Sequence, residues 1–260
     1  MKIAVSGKGG VGKSTIAAAL ALTIAKNGGR VLALDADPDA NLASALGISS
    51  ADQEKIVPIS KQIALIEERT GAKVNTYGKV FKLNPEVGDV AEKYSYNHNG
   101  IDLLVLGAVV AGGSGCACPE STFIRALVTD LVMFKNEALI MDMEAGIEHL
   151  GRATSRGVDV MVVVVEPGKR SIDCAFTVQR MCGEIGVRKI VAVANKVTGS
   201  EDEQFITSSL PEGIDLVATI PYSETVRNAD REGVSVLDVL DDDLKAVFEE
   251  MFEKIKGYIT

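Results

Sequence analysis

Short apolar runs recur along the chain at strand length, separated by stretches whose apolar residues repeat at helical spacing. The runs fall at residues 2–6 (KIAVS), 30–35 (RVLALD), 102–107 (DLLVLG), 138–142 (ALIMD), 159–165 (DVMVVVV), 189–194 (KIVAVA) and 216–220 (LVATI). Most are continuously apolar rather than alternating, the pattern of parallel strands covered by helices on both faces. Helical periodicity occupies residues 14–27, ended by Gly28 and Gly29, then 121–134, 170–185 and about 236–258,. The alternation predicts an α/β fold: a doubly wound, mostly parallel sheet of about seven strands,.

Residues 47–100 break this rhythm, reading as a helix over about 52–70 and then a polar stretch with the look of a hairpin. An insertion of that length is more often functional than idle, because loops carry binding surfaces on a rigid scaffold. No repeat, low-complexity tract or linker divides the chain, so residues 1–260 are expected to form one domain with an insertion at about 47–100,. In the last helix Leu244, Val247, Phe248, Met251, Phe252 and Ile255 form one apolar stripe, with Glu249, Glu250 and Glu253 elsewhere,. The acidic polar face disfavours a membrane-surface helix, which wants lysine and arginine there, and points to packing against the sheet.

Composition narrows the partners. Twenty-seven basic against 36 acidic residues leave a formal charge of −9, so nucleic acid is not an expected partner,. No apolar run approaches the ~20 residues that span a bilayer. The start MKIAVSGKGG turns to glycine too soon for a signal peptide,. A cytoplasmic protein without membrane attachment is expected. Its four cysteines are too few for a disulfide framework,. Cys174 and Cys182, in helical pattern among Phe176, Val178 and Met181, read as small buried hydrophobes,.

The first strand–turn–helix carries the strongest chemical signal. Gly7, Lys8, Gly9, Gly10, Val11, Gly12, Lys13 and Ser14, followed by Thr15, satisfy G-x-x-x-x-G-K-S/T after a strand and opening a helix,. Glycines let backbone N–H groups curl around phosphate oxygens, and the helix N-terminus adds a favourable dipole. Lys13 is placed to neutralise the β- and γ-phosphates, and the Ser14 hydroxyl to ligate Mg²⁺. Asp142 ends a strand, where it would hold the Mg²⁺ water shell. Asp35, Asp37 and Asp39 lie at the end of another strand and in the turn DADPDAN. Ligands collect at the carboxyl ends of strands in such sheets, which favours function for Asp37 and Asp142, with capping and turn roles for Asp35 and Asp39.

Lys8 is not required by a simple P-loop. The pattern K-G-G-x-G-K-S/T resembles the deviant Walker A loop of the family that includes MinD, ParA-type partition ATPases, the arsenite pump ATPase and nitrogenase iron protein. The resemblance implies a P-loop NTPase of the SIMIBI type that binds and hydrolyses ATP to ADP with Mg²⁺. It implies that Lys8 reaches across a homodimer to the partner's nucleotide, that Asp37 positions the attacking water, and that Gly146 belongs to a second switch. Asn195, with Lys196 beside it in VAVANK, matches the family's adenine-reading asparagine, and Pro221 and Tyr222 match its base-side loop.

Cys116-Ala117-Cys118 follows the strand DLLVLG in a glycine-rich loop, on the same carboxyl edge. Two thiols one residue apart close poorly on each other, and a thiophilic tetrahedral site wants four sulfurs. Two copies across a two-fold axis supply them, suiting Ni²⁺, Zn²⁺ or an iron–sulfur cluster.

With KGGVGKST, DADPDANL and the switch run MDMEAGIEHLGRAT, the GCACPE loop resembles the CooC family of carbon monoxide dehydrogenase maturation ATPases. That resemblance implies nucleotide-dependent dimerisation, a metal shared by Cys116 and Cys118 of both subunits, and apo-carbon monoxide dehydrogenase as the client for nickel. His149, on a helix, reads as an ordinary hydrogen-bonded surface residue and stays outside the metal set. Two other readings compete. A reductase with a dimer-bridging cluster wants cysteines in two separate loops, and only one loop here offers a pair. A MinD- or ParA-like spatial regulator wants a basic helix or patch and leaves the cysteine pair unexplained.

Overall fold

A computed structural model describes residues 1–74, 80–108, 118–134, 137–144 and 157–259. Eight strands form one sheet: β1 Lys2–Gly7, β2 Val31–Ala36, β3 Tyr96–His98, β4 Ile101–Val105, β5 Ala138–Met143, β6 Val160–Val165, β7 Ile190–Val197 and β8 Asp215–Pro221. Their order across the sheet is β3-β4-β2-β5-β1-β6-β7-β8, and every pairing is parallel except β3 with β4. The expected count of about seven strands misses β3. That short polar strand pairs antiparallel with β4 through the tight turn at Asn99 and Gly100, both at positive φ (51° and 82°). Two successive left-handed residues suit a two-residue hairpin turn, so the insertion does end in a hairpin.

Successive residues of the central strands point to opposite faces. Val160, Val162 and Val164 join the core cluster built with the helix Lys13–Lys26 and the C-terminal helix Asp242–Gly257. Met161, Val163 and Val165 join the cluster on the other face, with the helices Pro119–Phe134 and Lys169–Ile185. Burial on both faces accounts for the unbroken apolar runs.

Two expected helices are broken. The one read over 52–70 resolves into Ser50–Gln53, a 3-10 turn at Ile59–Lys61 and Ile63–Thr70. Pro58 lies between the first two, and proline lacks an N–H donor and restrains the residue before it from helix. The C-terminal run divides at Leu240 and Asp241; the Asp241 carboxylate caps the final helix by accepting the Leu244 N–H at 2.8 Å,. Of the expected stripe, Leu244, Phe248, Met251, Phe252 and Ile255 are buried and Val247 packs partly against them. Helices Ser200–Ser209 and Glu224–Glu232 were not expected. Among the described residues no helix is long and apolar enough to cross a membrane.

The site follows from the strand order. From β1 the chain crosses over β5 to reach β2, while β6, β7 and β8 extend the opposite flank. The carboxyl ends of β1, β2 and β5 are thereby neighbours, with Val5 in register with Asp142, and Asp142 in register with Asp35. Such reversals open a crevice at the carboxyl edge of parallel sheets.

Candidate functional site

The loop after β1 is held in shape by its surroundings. Ser6 donates its hydroxyl to the Glu144 carbonyl at 2.8 Å, fixing the loop's start to the end of β5. Gly12 lies at φ 96°, and a methyl group there would collide with the Asn195 side chain. Only glycine meets both demands. Asn195, itself buried, donates its amide to the Val11 carbonyl at 2.7 Å, and Lys196 donates its ammonium to the Gly10 carbonyl. The loop after β7 thus braces the loop after β1.

Between them lies a cavity of about 630 Å³, within the range of small-molecule sites. Gly9, Gly10, Gly12, Lys13, Ser14 and Thr15 form its floor, Asp37 one wall, and Asn195, Lys196, Pro221 and Tyr222 the other. The structure brings together all of these predicted residues. Gly7, Lys8 and Val11 belong to the loop and Asp142 to the end of β5, and none of the four lines the cavity. Gly146 and Cys116, with Glu148 and His149, lie outside the described residues.

The charged groups of the site are arranged in exchangeable pairs. Lys13 Nζ lies 3.3 Å from Asp37 Oδ2, both nearly buried. The other Asp37 oxygen accepts the Asp39 N–H at 3.0 Å. Asp35 is wholly buried and accepts N–H groups of Leu42 at 2.9 Å and Asp37 at 3.2 Å, fixing the turn that carries Asp37. Burial, then the charge of Asp142, pushes its pKa up to about 8, against the pull of those two amides. Asp142 is also wholly buried, and although the Ser14 hydroxyl stands close to its carboxylate, no group among the described residues meets full hydrogen-bond geometry at either oxygen. Burial raises its pKa to about 6, opposed by the Ser14 hydroxyl and the Lys13 ammonium. A pair of incompletely satisfied buried carboxylate oxygens beside a P-loop hydroxyl fits Mg²⁺, a hard cation that takes oxygen ligands and keeps several waters.

Cys118 stands at the start of the helix Pro119–Phe134, half-buried, its sulfur accepting the Ser121 N–H at 3.3 Å and lying 3.1 Å from the Ser121 hydroxyl. Among the described residues no group of three or more His, Cys, Asp or Glu could hold a metal. Cys182 belongs to the core, its thiol pushed up to about 12 by burial, and Cys174 packs half-buried on the same cluster.

Several lining residues escaped the sequence reading. Asn41 and Glu144 contribute polar groups, Ile220, Ser223, Val226, Arg227 and Phe248 complete the lining, and Asp39, read above as a turn residue, also faces the cavity. Arg227 Nη1 donates to the Tyr222 hydroxyl at 3.2 Å and pairs with Glu224. Glu166, directly after β6, pairs with both Lys8 and Lys196. It stands at a strand's carboxyl end, as Asp35 and Asp142 do, and that position was its one visible signal.

A parallel sheet whose first loop opens a helix and cradles a mononucleotide-sized cavity defines a P-loop nucleotide-binding protein. Residues 2–236 match the CobQ/CobB/MinD/ParA nucleotide binding domain. The chain belongs to that family of P-loop ATPases. It is similar to the carbon monoxide dehydrogenase accessory protein CooC of Rhodospirillum rubrum, with 45% identity over 92% of this chain and 90% of that protein. An uncharacterized ATP-binding protein of Methanocaldococcus jannaschii is 42% identical over 100% of this chain and 97% of its own. Among solved structures, the MinD cell division protein of Aquifex aeolicus superimposes with a TM-score of 0.67, covering 99% of this chain and 98% of that one. At 20% identity that likeness is one of fold.

Proposed function

We propose that this protein is an Mg²⁺-dependent, ATP-hydrolysing maturation factor that dimerises with nucleotide. In this reading it holds a nickel or zinc ion between the Cys116 and Cys118 pairs of two subunits and assists nickel insertion into an apo-carbon monoxide dehydrogenase. The client is taken from the name of the Rhodospirillum relative. One observation carries the enzymatic part: the P-loop lysine that lines the cavity is paired with Asp37, and its charge also acts on the buried carboxylate of Asp142 beneath the cavity.

The chemistry follows from that pairing. The loop N–H groups of residues 9–14 bind the phosphates, and Lys13 exchanges Asp37 for their oxygens. Asp37, freed from Lys13, then accepts a hydrogen bond from the attacking water and orients it towards the γ-phosphorus. Lys8 of a second subunit adds a cation where charge spreads in the transition state. Ser14 and Asp142 would hold Mg²⁺, which neutralises phosphate charge as a Lewis acid. Water adds to the γ-phosphoryl group and ADP leaves, so the closed dimer loses its bridge. The loops after Asp37 and Asp142 are then the elements that report this loss to the cysteine loop.

The test is Lys8→Ala, followed by hydrolysis rate, nucleotide affinity and mass in solution. A cation delivered in trans to the γ-phosphate is worth about 10³–10⁵ in kcat. The variant is expected to lose at least the lower figure together with nucleotide-driven dimerisation, while binding ADP nearly as well as the native protein. Full turnover by a monomeric variant would overturn the in-trans role.

A further inference from the structure

Lys8 does not line the nucleotide cavity of its own subunit, although its neighbours Gly9 and Gly10 do. Its ammonium lies 3.3 Å from Oε1 of Glu166. The second oxygen of that carboxylate lies 3.7 Å from the Lys196 ammonium. We infer that Glu166 is a positioning residue that keeps Lys8 in cis on its own subunit, and that Lys8 must leave it to reach a partner's nucleotide. The inference rests on the dimer reading above and adds to it the group that Lys8 gives up.

Two contacts fix Glu166 in place. Its backbone N–H donates to the hydroxyl of Ser171 at 3.0 Å, and Ser171 is buried in the first turn of the helix Lys169–Ile185. Its carboxylate faces Lys196, whose ammonium is in turn bound to the Gly10 carbonyl. Lys196 itself adopts φ 60°, a left-handed conformation that a long side chain rarely takes and that concentrates at functional positions. One carboxylate therefore serves two ammonium groups, so Lys8 shares its counter-ion. The side chains of Lys8 and Glu166 are 39% and 27% exposed. Pairs this wet are weak and salt-sensitive, strong enough to bias where Lys8 points and weak enough to yield to a triphosphate.

A weak latch in cis sets the protein concentration at which dimers form rather than the rate of the formed dimer. The experiment measures ATP hydrolysis per subunit against protein concentration, at saturating ATP, for the native protein, Glu166→Gln, Glu166→Asp and Lys8→Ala, at low and high ionic strength. Glu166→Gln is expected to keep the plateau rate and, because each dimer releases two latches, to reach half of it at about two- to thirtyfold lower protein concentration, a gap that narrows at high salt. Glu166→Asp, which keeps the charge on a shorter side chain, is expected between the two. An unchanged or higher midpoint in Glu166→Gln, or a fallen plateau, would overturn the latch. A native rate that does not depend on protein concentration would remove the dimer reading and the latch with it. A concentration-dependent native protein, an inactive Lys8→Ala and an unshifted Glu166→Gln would remove the latch alone.

Discussion

Replacing Asp142 by asparagine should stabilise the nucleotide-free protein while disabling it, and the size of that gain can be worked from the site. The carboxyl group is wholly buried without a fully formed hydrogen bond among the described residues, and its pKa rises from 3.8 to about 6. A raised carboxylate pKa means that the folded state prefers the proton. The associated stability is complete below 3.8 and is lost as pH rises through about 6,. The interval corresponds to about 3 kcal/mol borne by the native protein at pH 8. The amide of Asp142→Asn carries no such charge, and loss of the carboxylate also relieves Asp35, whose pKa near 8 owes part of its rise to Asp142. Urea unfolding of native and Asp142→Asn protein, without nucleotide, is the assay. The variant should be more stable by up to about 3 kcal/mol at pH 8, with the advantage shrinking towards zero near pH 4. The same variant should lose the extra stability that Mg²⁺ with ADP confers on the native protein. A variant less stable than the native protein at pH 8, or an advantage independent of pH, would refute the reasoning.

Gly12→Ala places a methyl group against Asn195 at a φ of 96°; such strain costs about 1–3 kcal/mol, so thermal unfolding should fall by several degrees and nucleotide binding should be lost. A native melting curve for this variant would refute the packing argument. Cys116→Ser combined with Cys118→Ser should remove the soft metal and leave ATP binding intact, checked by metal analysis beside nucleotide titration; unchanged metal content would move the site elsewhere.

The parts of the fold legible in the sequence are those where one local rule governs. Strands such as Val160–Val165, buried on both faces, show as unbroken apolar runs. The edge strand Tyr96–His98 is three residues long and at most half-buried, so it carries no periodicity to read. Helix Ser200–Ser209 buries only Ile206 and leaves no apolar stripe,. Pro58 was visible as a helix breaker and should have divided the segment read over 52–70,. The phosphate loop was legible because backbone geometry dictates its spacing. Arg227 and Phe248 reach the cavity only through the packing of two later helices, and the pairing of Glu166 with Lys8 joins residues 158 positions apart. Contacts of that separation leave no pattern in a single sequence.

The central claim, a nucleotide-dependent dimer that shares a metal between cysteine pairs, is tested most directly by weighing and assaying one sample. Protein purified without oxygen, given Mg²⁺ and a non-hydrolysable ATP analogue, is sized, and its metal and acid-labile sulfide are counted per subunit. The account predicts a dimer with about half a nickel or zinc per subunit and no sulfide, as one four-thiolate site on a two-fold axis requires. A monomer that takes up no metal after loading, or a dimer holding iron with matching sulfide, would contradict it.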